Sequence, residues 1–156
     1  MMDNKKILVI GVGNLLLADE GVGIHIISHI KGLHLPPHIE IVDGGTGSFE
    51  LINHFKNKEK VIIVDAIKAN EEPGTVVRFK LEEVNFKWND LLSSHQLGLR
   101  ELFHFSQGLK PKPEIIIYGI VPQDINSLCP QLSDTVRIKI PKIVAAILEE
   151  ISIPQD

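Results

Sequence analysis

The chain has 156 residues, 44% of them apolar and only 5% aromatic, with 16 Lys and Arg against 20 Asp and Glu. That is the length of one ordinary domain, residues 1–156, with a core of Ile, Leu and Val. The net charge of -4 and the lack of a basic cluster argue against nucleic acid, the single Cys129 excludes an intrachain disulfide framework, and no apolar run approaches the roughly 20 residues of a membrane span.

Lys5 and Lys6 precede ILVIGVGNLLLA, which superficially resembles a secretory signal. Gly11, Gly13 and Asn14 interrupt that run, Asp19 and Glu20 follow it, and no small-x-small cleavage site appears. A cytoplasmic protein is expected. Lys6–Gly11 reads instead as a buried parallel strand. Glu20 to about Lys31 reads as a helix with Val22, Ile26, Ile27, Ile30 and Leu33 on one side, stopped by Gly32. After the Pro36-Pro37 turn, Ile39–Val42 is a second strand, closed by Asp43-Gly44-Gly45. Ser48 to about Phe55 is a second helix.

Val61–Val64 is the most clearly buried strand and ends at Asp65. Asn70–Gly74 is a turn signal. Thr75–Lys80 alternates like a strand with one wet face, so it belongs near a sheet edge. Its short link to the third strand holds no helix, which predicts an antiparallel strand. Glu82–Leu92 is the least regular stretch and reads as a loop over a site. Ser93 or Ser94 can cap a helix running to about Phe105. Glu114–Ile120 is another buried strand. Ile140, Ile143, Val144, Ile147, Leu148 and Ile151 form a helical stripe, in which Pro141 implies a kink or a fresh start. The pattern is α/β: one three-layer α/β/α domain with a mainly parallel sheet.

In open α/β sheets, ligands sit beyond the carboxyl ends of the strands, at the switch point in strand order. Glu20 follows the loop after the first strand, and Asp65 ends the third. If those strands are neighbours, the two carboxylates share a rim. His95, near a helix start, would feel the positive end of the helix dipole, which favours the neutral, metal-binding imidazole. Two carboxylates and an imidazole suit zinc, nickel or a similar borderline ion, and three protein ligands leave positions open for a substrate.

Other patterns compete. Gly11-Val12-Gly13 after a strand, with Asp43 ending the next, suggests a small dinucleotide-binding domain, but Leu16 stands where the third glycine belongs. His25 and His29 have the i, i+4 spacing of a metal pair, without the glutamate of the zinc-protease helix, since Ile26 follows His25. Both border the apolar stripe and read as flank residues.

GVGNLLLADEGVG, VDGGTGSFELI, VIIVDAI and SSHQLGL, in that order, resemble the hydrogenase maturation endopeptidases. The likeness runs from about Ile7 to His95 and continues more weakly through YGIVPQDI and the last helix. It implies a phosphorylase/hydrolase-like fold of five strands, one of them antiparallel. It also implies an endopeptidase that removes the C-terminal extension of a nickel–iron hydrogenase large-subunit precursor after nickel insertion. The family's metal-contacting and catalytic Glu, Asp and His fall on Glu20, Asp65 and His95. Its DGGT stretch falls on Asp43, Gly44, Gly45 and Thr46, as cleft-shaping or peptide-gripping residues. Nickel would arrive with the precursor, with cadmium or zinc able to stand in for it in vitro. NSLCPQLS departs from the family pattern, where a more glycine-rich approach to the last helix is expected. A non-proteolytic checkpoint that binds the nickel-loaded precursor would need the same three ligands. With no spare apolar stripe, the protein is expected to be a monomer.

Overall fold

The five apolar runs become five strands of one sheet. The computed structural model describes residues 5–47, 49–83 and 98–151. The strands are β1 (Ile7–Gly11), β2 (Ile39–Asp43), β3 (Lys60–Ala66), β4 (Val76–Lys80) and β5 (Glu114–Ile120). Their order across the sheet is β2-β1-β3-β5-β4. All neighbouring pairs are parallel except β4 with β5. Position in the sheet explains the sequence pattern: β1, β3 and β5 are central and almost wholly buried, whereas β2 and β4 are edges with partial exposure. The antiparallel edge strand is as expected, and its partner is β5.

Alternate strand residues feed two cores. On one face Val9, Ile62, Val64 and Ile116 pack with α1 (Val22–Lys31) and with the last helix, Ile140–Ile151. On the other, Leu8, Ile10, Ile63 and Ile117 pack with Leu51, Phe55 and Leu102. Leu102 belongs to α2 (Leu99–Gln107). Helical layers on both faces make the α/β/α sandwich. Each fully buried Ile or Leu contributes on the order of 1.5–3 kcal/mol through loss of apolar surface from water.

Four elements differ from the expected ones. Helix α2 begins only at Leu99 and not at Ser93 or Ser94, because Gly98 before it is extended at φ -84° and ψ 157°. The first helix is preceded by a 3-10 turn, Ala18–Gly21, and becomes α-helical only at Val22. The segment Phe49–Phe55 is 3-10 rather than α. A one-turn helix, α3 (Asp134–Arg137), precedes the last helix, α4 (Ile140–Ile151), with the Ser133 hydroxyl accepting from Val136 N–H at 3.4 Å as its cap. Pro141 therefore marks a fresh start, in the first turn, where its missing N–H costs nothing. Of the predicted loop after β4, Leu81–Glu83 form a 3-10 turn. Residues 84–97, including Trp88, Ser93, Ser94 and His95, lie outside the described residues.

Candidate active site

The strand order reverses at β1 and β3: β1 leads on to β2 on one side, and β3 lies on the other. The register pairs Gly11 with Val64, so Asp65 stands one residue beyond the end of β1, at the switch point. Asp65 is inside β3 rather than after it, since Ala66 continues the strand. Its side chain shares strand parity with Val61 and Ile63, the face covered by α2. It is 1% exposed, and one carboxylate oxygen accepts the Ala66 N–H at 2.7 Å.

Glu20 lies on a tightly folded turn fastened to the same end of the sheet. Val12 N–H donates to the Val64 carbonyl at 2.9 Å, which ties the turn to β3 just before Asp65. Asn14 N–H donates to the Glu20 carbonyl at 3.1 Å, and Glu20 N–H to the Leu17 carbonyl at 3.0 Å. Ala18 enters the 3-10 turn at φ 48°, a left-handed conformation that a non-glycine residue adopts only when its surroundings hold it there. Gly23 explains how close the turn can approach. A Cβ there would press on the backbone carbonyls of Val12 and Val64. Glu20 is 7% exposed. Two carboxylates are thus withdrawn from water at one switch point, where burial of anionic oxygens is costly unless charge or hydrogen bonds compensate it. The oxygen donors suit a divalent ion.

The surroundings that hold Ala18 centre on Asp19, a residue that the sequence alone marks only as an acid beside Glu20. Asp19 is completely buried. One of its oxygens accepts from Ser133 N–H at 2.8 Å. The other accepts from Gln123 N–H at 2.9 Å, Asp124 N–H at 3.0 Å and the Ser133 hydroxyl at 2.7 Å. Asp19 N–H donates to the Asp124 carbonyl at 2.8 Å, and Ala18 N–H to the Cys129 carbonyl at 2.7 Å. The loop after β5 is therefore fastened to the turn that carries Glu20. Within that loop the Asp124 carboxyl is held below the usual range by the Ser127 hydroxyl and by the Ser127 and Asn126 N–H groups.

Asp43–Thr46 lie at the same end of the sheet. Gly13 N–H donates to the Gly45 carbonyl at 2.8 Å, and Gly44 N–H to the Gly11 carbonyl at 2.7 Å. The Asp43 carboxylate accepts from Gly45 N–H at 2.9 Å, an Asx turn that carries the chain into the left-handed Gly45. Asp43, Gly45 and Thr46 are exposed, whereas Gly44 is buried against Gly11.

These bonds also dispose of the dinucleotide reading. A phosphate cradle needs free backbone N–H groups in the glycine loop. Here those of Val12, Gly13 and Asn14 are all spent on protein carbonyls, and Leu16 N–H donates to the Asn14 side chain at 3.0 Å. His25 and His29 line a different depression, with Gln131, Leu132, Asp134 and Arg137, and do not join the carboxylates. Cys129 is half-buried and contributes its backbone to the turn.

Backbone hydrogen bonds thus tie the turn that carries Glu20 to β3 just before Asp65 and to the Asp43–Thr46 turn. His95 lies outside the described residues, four positions before α2 begins. Among the described residues no group of three or more His, Cys, Asp and Glu side chains is assembled to hold a metal ion.

A family model for hydrogenase maturation proteases matches residues 24–150, a span that includes Asp43–Thr46 and Asp65. The chain is 34% identical over 151 residues to the hydrogenase 2 maturation protease of Escherichia coli K12, with 92% of each chain covered. It is 30% identical to a putative hydrogenase maturation protease of Methanocaldococcus jannaschii, over 96% of this chain and 99% of the other. Among solved structures it resembles the hydrogenase maturating endopeptidase HybD of E. coli, with a TM-score of 0.81 and 32% identity over 94% of this chain and 91% of that one. It also resembles the NiFe hydrogenase maturation protease HybD of Thermococcus kodakarensis, with a TM-score of 0.75 and 27% identity over 94% and 99%.

Proposed function

Because the chain belongs to the hydrogenase maturation protease family and is therefore a peptidase, we propose that it removes the C-terminal extension of a nickel–iron hydrogenase large-subunit precursor after nickel has been inserted. The observation that supports this reading is that Glu20 and Asp65, both buried, lie on a turn and a strand tied together at the β1–β3 switch point. In this proposal nickel is part of the substrate. Glu20 and Asp65 supply carboxylate oxygens to it and His95 an imidazole nitrogen, so that only a loaded precursor seats its scissile peptide. Cadmium or zinc would occupy the same donors in vitro. The exposed Asp43, Gly45 and Thr46 border the switch point, where they grip the extended chain on its way in. Hydrolysis then adds water across one amide bond, and a carboxylate at the switch point accepts the proton of the attacking water. A cytoplasmic monomer is the simplest form of this enzyme. Family membership favours cleavage over a silent checkpoint.

The test is cleavage of a nickel-loaded precursor by the Asp65→Asn variant. The carboxamide keeps the shape but loses the charge, and cleavage falls by at least about 100-fold. A variant that cleaves at the wild-type rate would remove Asp65 from the site.

A further inference from the structure

Large apolar side chains left in water are not spread evenly over this surface. Among the described residues seven are exposed, and five of them stand at the carboxyl-end rim of the sheet: Leu15, Leu16, Phe49, Val76 and Leu128. Leu16 is 63% exposed and Leu128 83%. Val76 belongs to this rim because it pairs with Ile120, the last residue of β5. Scattered exposed leucines need no explanation, but clustering on one face marks an interaction site.

Leu16 and Leu128 are held side by side. Leu17 and Cys129 form a parallel bridge, which puts the residues before them, Leu16 and Leu128, at neighbouring positions. Cys129 N–H donates to the Leu16 carbonyl at 2.9 Å. Below them the buried Asp19 locks both loops together. Leu15 lies against the backbone of Gly21, the residue after Glu20. The apolar tips are therefore fixed with respect to Glu20, and ordering them on binding costs little.

We propose that Leu15, Leu16 and Leu128 form an apolar ridge that the hydrogenase large-subunit precursor covers when its scissile peptide reaches the switch point. This rests on the peptidase reading given above. Glu20 and Asp65 are buried, so a folded substrate reaches them only by pressing against the rim, and the ridge is continuous with the turn that carries Glu20. A specific partner covers about 800 Å² on each side, with a few central, well-packed residues supplying most of the affinity. The chemistry expected on the precursor is an apolar surface flanking its nickel site. A second copy of this chain is the competing occupant.

The experiment uses purified nickel-loaded precursor and the double variant Leu16→Gln/Leu128→Gln, which is neutral and leaves the carboxylates alone. Leu33→Gln, an exposed residue just past the end of α1 at the opposite end of the sheet, is the control. Binding is read by fluorescence anisotropy of labelled precursor and cleavage by steady-state kinetics. The ridge variant raises Kd and KM at least ten-fold with kcat within about two-fold of wild type, while the control changes neither. Equal Kd and KM in ridge variant and wild type overturn the ridge, as does an equal loss in the control. If the wild-type protein binds the precursor without cutting it, the peptidase reading falls, and the ridge is judged on Kd alone. If wild type neither binds nor cuts, both fall. Sedimentation velocity separates the competing occupant: a wild-type dimer that the ridge variant dissociates assigns the surface to a second copy and overturns the proposal.

Discussion

The Asp19 carboxylate takes both hydrogen-bond donors of Ser133, its N–H at 2.8 Å and its hydroxyl at 2.7 Å, across 114 positions of sequence. That contact joins the start of the Glu20 turn to the cap of α3, and two further N–H donors from Gln123 and Asp124 complete it. Removing the acceptor leaves four donors without it. Hydrogen bonds to a charged group are each worth about 1.5–3 kcal/mol net, though such contributions do not add. Asp19→Ala should therefore lose about 3–5 kcal/mol in urea unfolding. Ser133→Ala deletes the hydroxyl and the cap alone and should lose about 1–2 kcal/mol. An Asp19→Ala midpoint equal to wild type would mean that the loop is held by something else.

Gly23 poses a sharper test because the usual rule predicts the opposite sign. In an exposed helix, Gly→Ala stabilises by about 1 kcal/mol through propensity. At Gly23 the added carbon would meet the carbonyls of Val64 and Val12, neither of which is a side chain able to swing away. Gly23→Ala should destabilise by about 1–3 kcal/mol, on the scale of core overpacking, with α1 pushed off the sheet. A calorimetric melt at or above the wild-type temperature would show that the turn has room to move.

The contrast between Asp65 and Asp19 shows what was legible in the sequence. The strands could be read because parallel strands buried on both faces leave unbroken runs of Ile and Val. The place of Asp65 near the carboxyl end of β3 could be read because it is the first carboxylate in such a run. Asp19 could not, because its partners lie more than 100 positions away and belong to an irregular loop with no period of its own. For the same reason the 3-10 form of Ala18–Gly21 was hidden: the helical pattern from Val22 extends naturally back to Glu20, and only the left-handed Ala18 and its bond to Cys129 stop it. The helix start expected at Ser93 or Ser94 is misplaced because nothing in the sequence before Leu99 marks Gly98 as the extended N-cap, and His95 falls outside the described residues.

Away from the site, Glu150 ties α4 to the sheet. It accepts from Lys60 at 2.8 Å, from Arg78 at 2.6 Å and from the Tyr118 hydroxyl at 2.7 Å. Burial alone would raise its carboxyl, but these bonds outweigh burial and hold it at about 2 against 4.5 for a free side chain. A carboxyl depressed in the folded state stabilises the fold above its unfolded pKa, and that stability is lost as pH falls from 4.5 towards 2. Tyr118, pushed up to about 12 by burial and then by Glu150, works in the other direction. Its contribution is present below 10 and fades as pH rises towards 12. Glu150→Gln should lower stability at pH 7 by about 1–3 kcal/mol and flatten the acid limb between 4.5 and 2. Chemical denaturation across pH checks it: an acid limb identical to wild type would mean that the depression belongs to some other carboxyl.

The remaining prediction concerns the free protein. Two buried carboxylates at one switch point offer a divalent ion oxygen donors, and an ion seated there should stabilise the fold in proportion to its affinity. At 100 times Kd the gain is about 2.7 kcal/mol. Cadmium or nickel added to the precursor-free enzyme should raise its melting temperature, and calorimetric titration should show one site. Glu20→Gln, Asp65→Asn and His95→Ala should each weaken that binding at least ten-fold, whereas His25→Ala, in the separate depression, should leave it unchanged. Loss in Glu20→Gln and Asp65→Asn with full binding in His95→Ala would take the imidazole out of the ligand set. Binding indifferent to both carboxylates would place the ion elsewhere and leave recognition of the precursor to the protein surface alone.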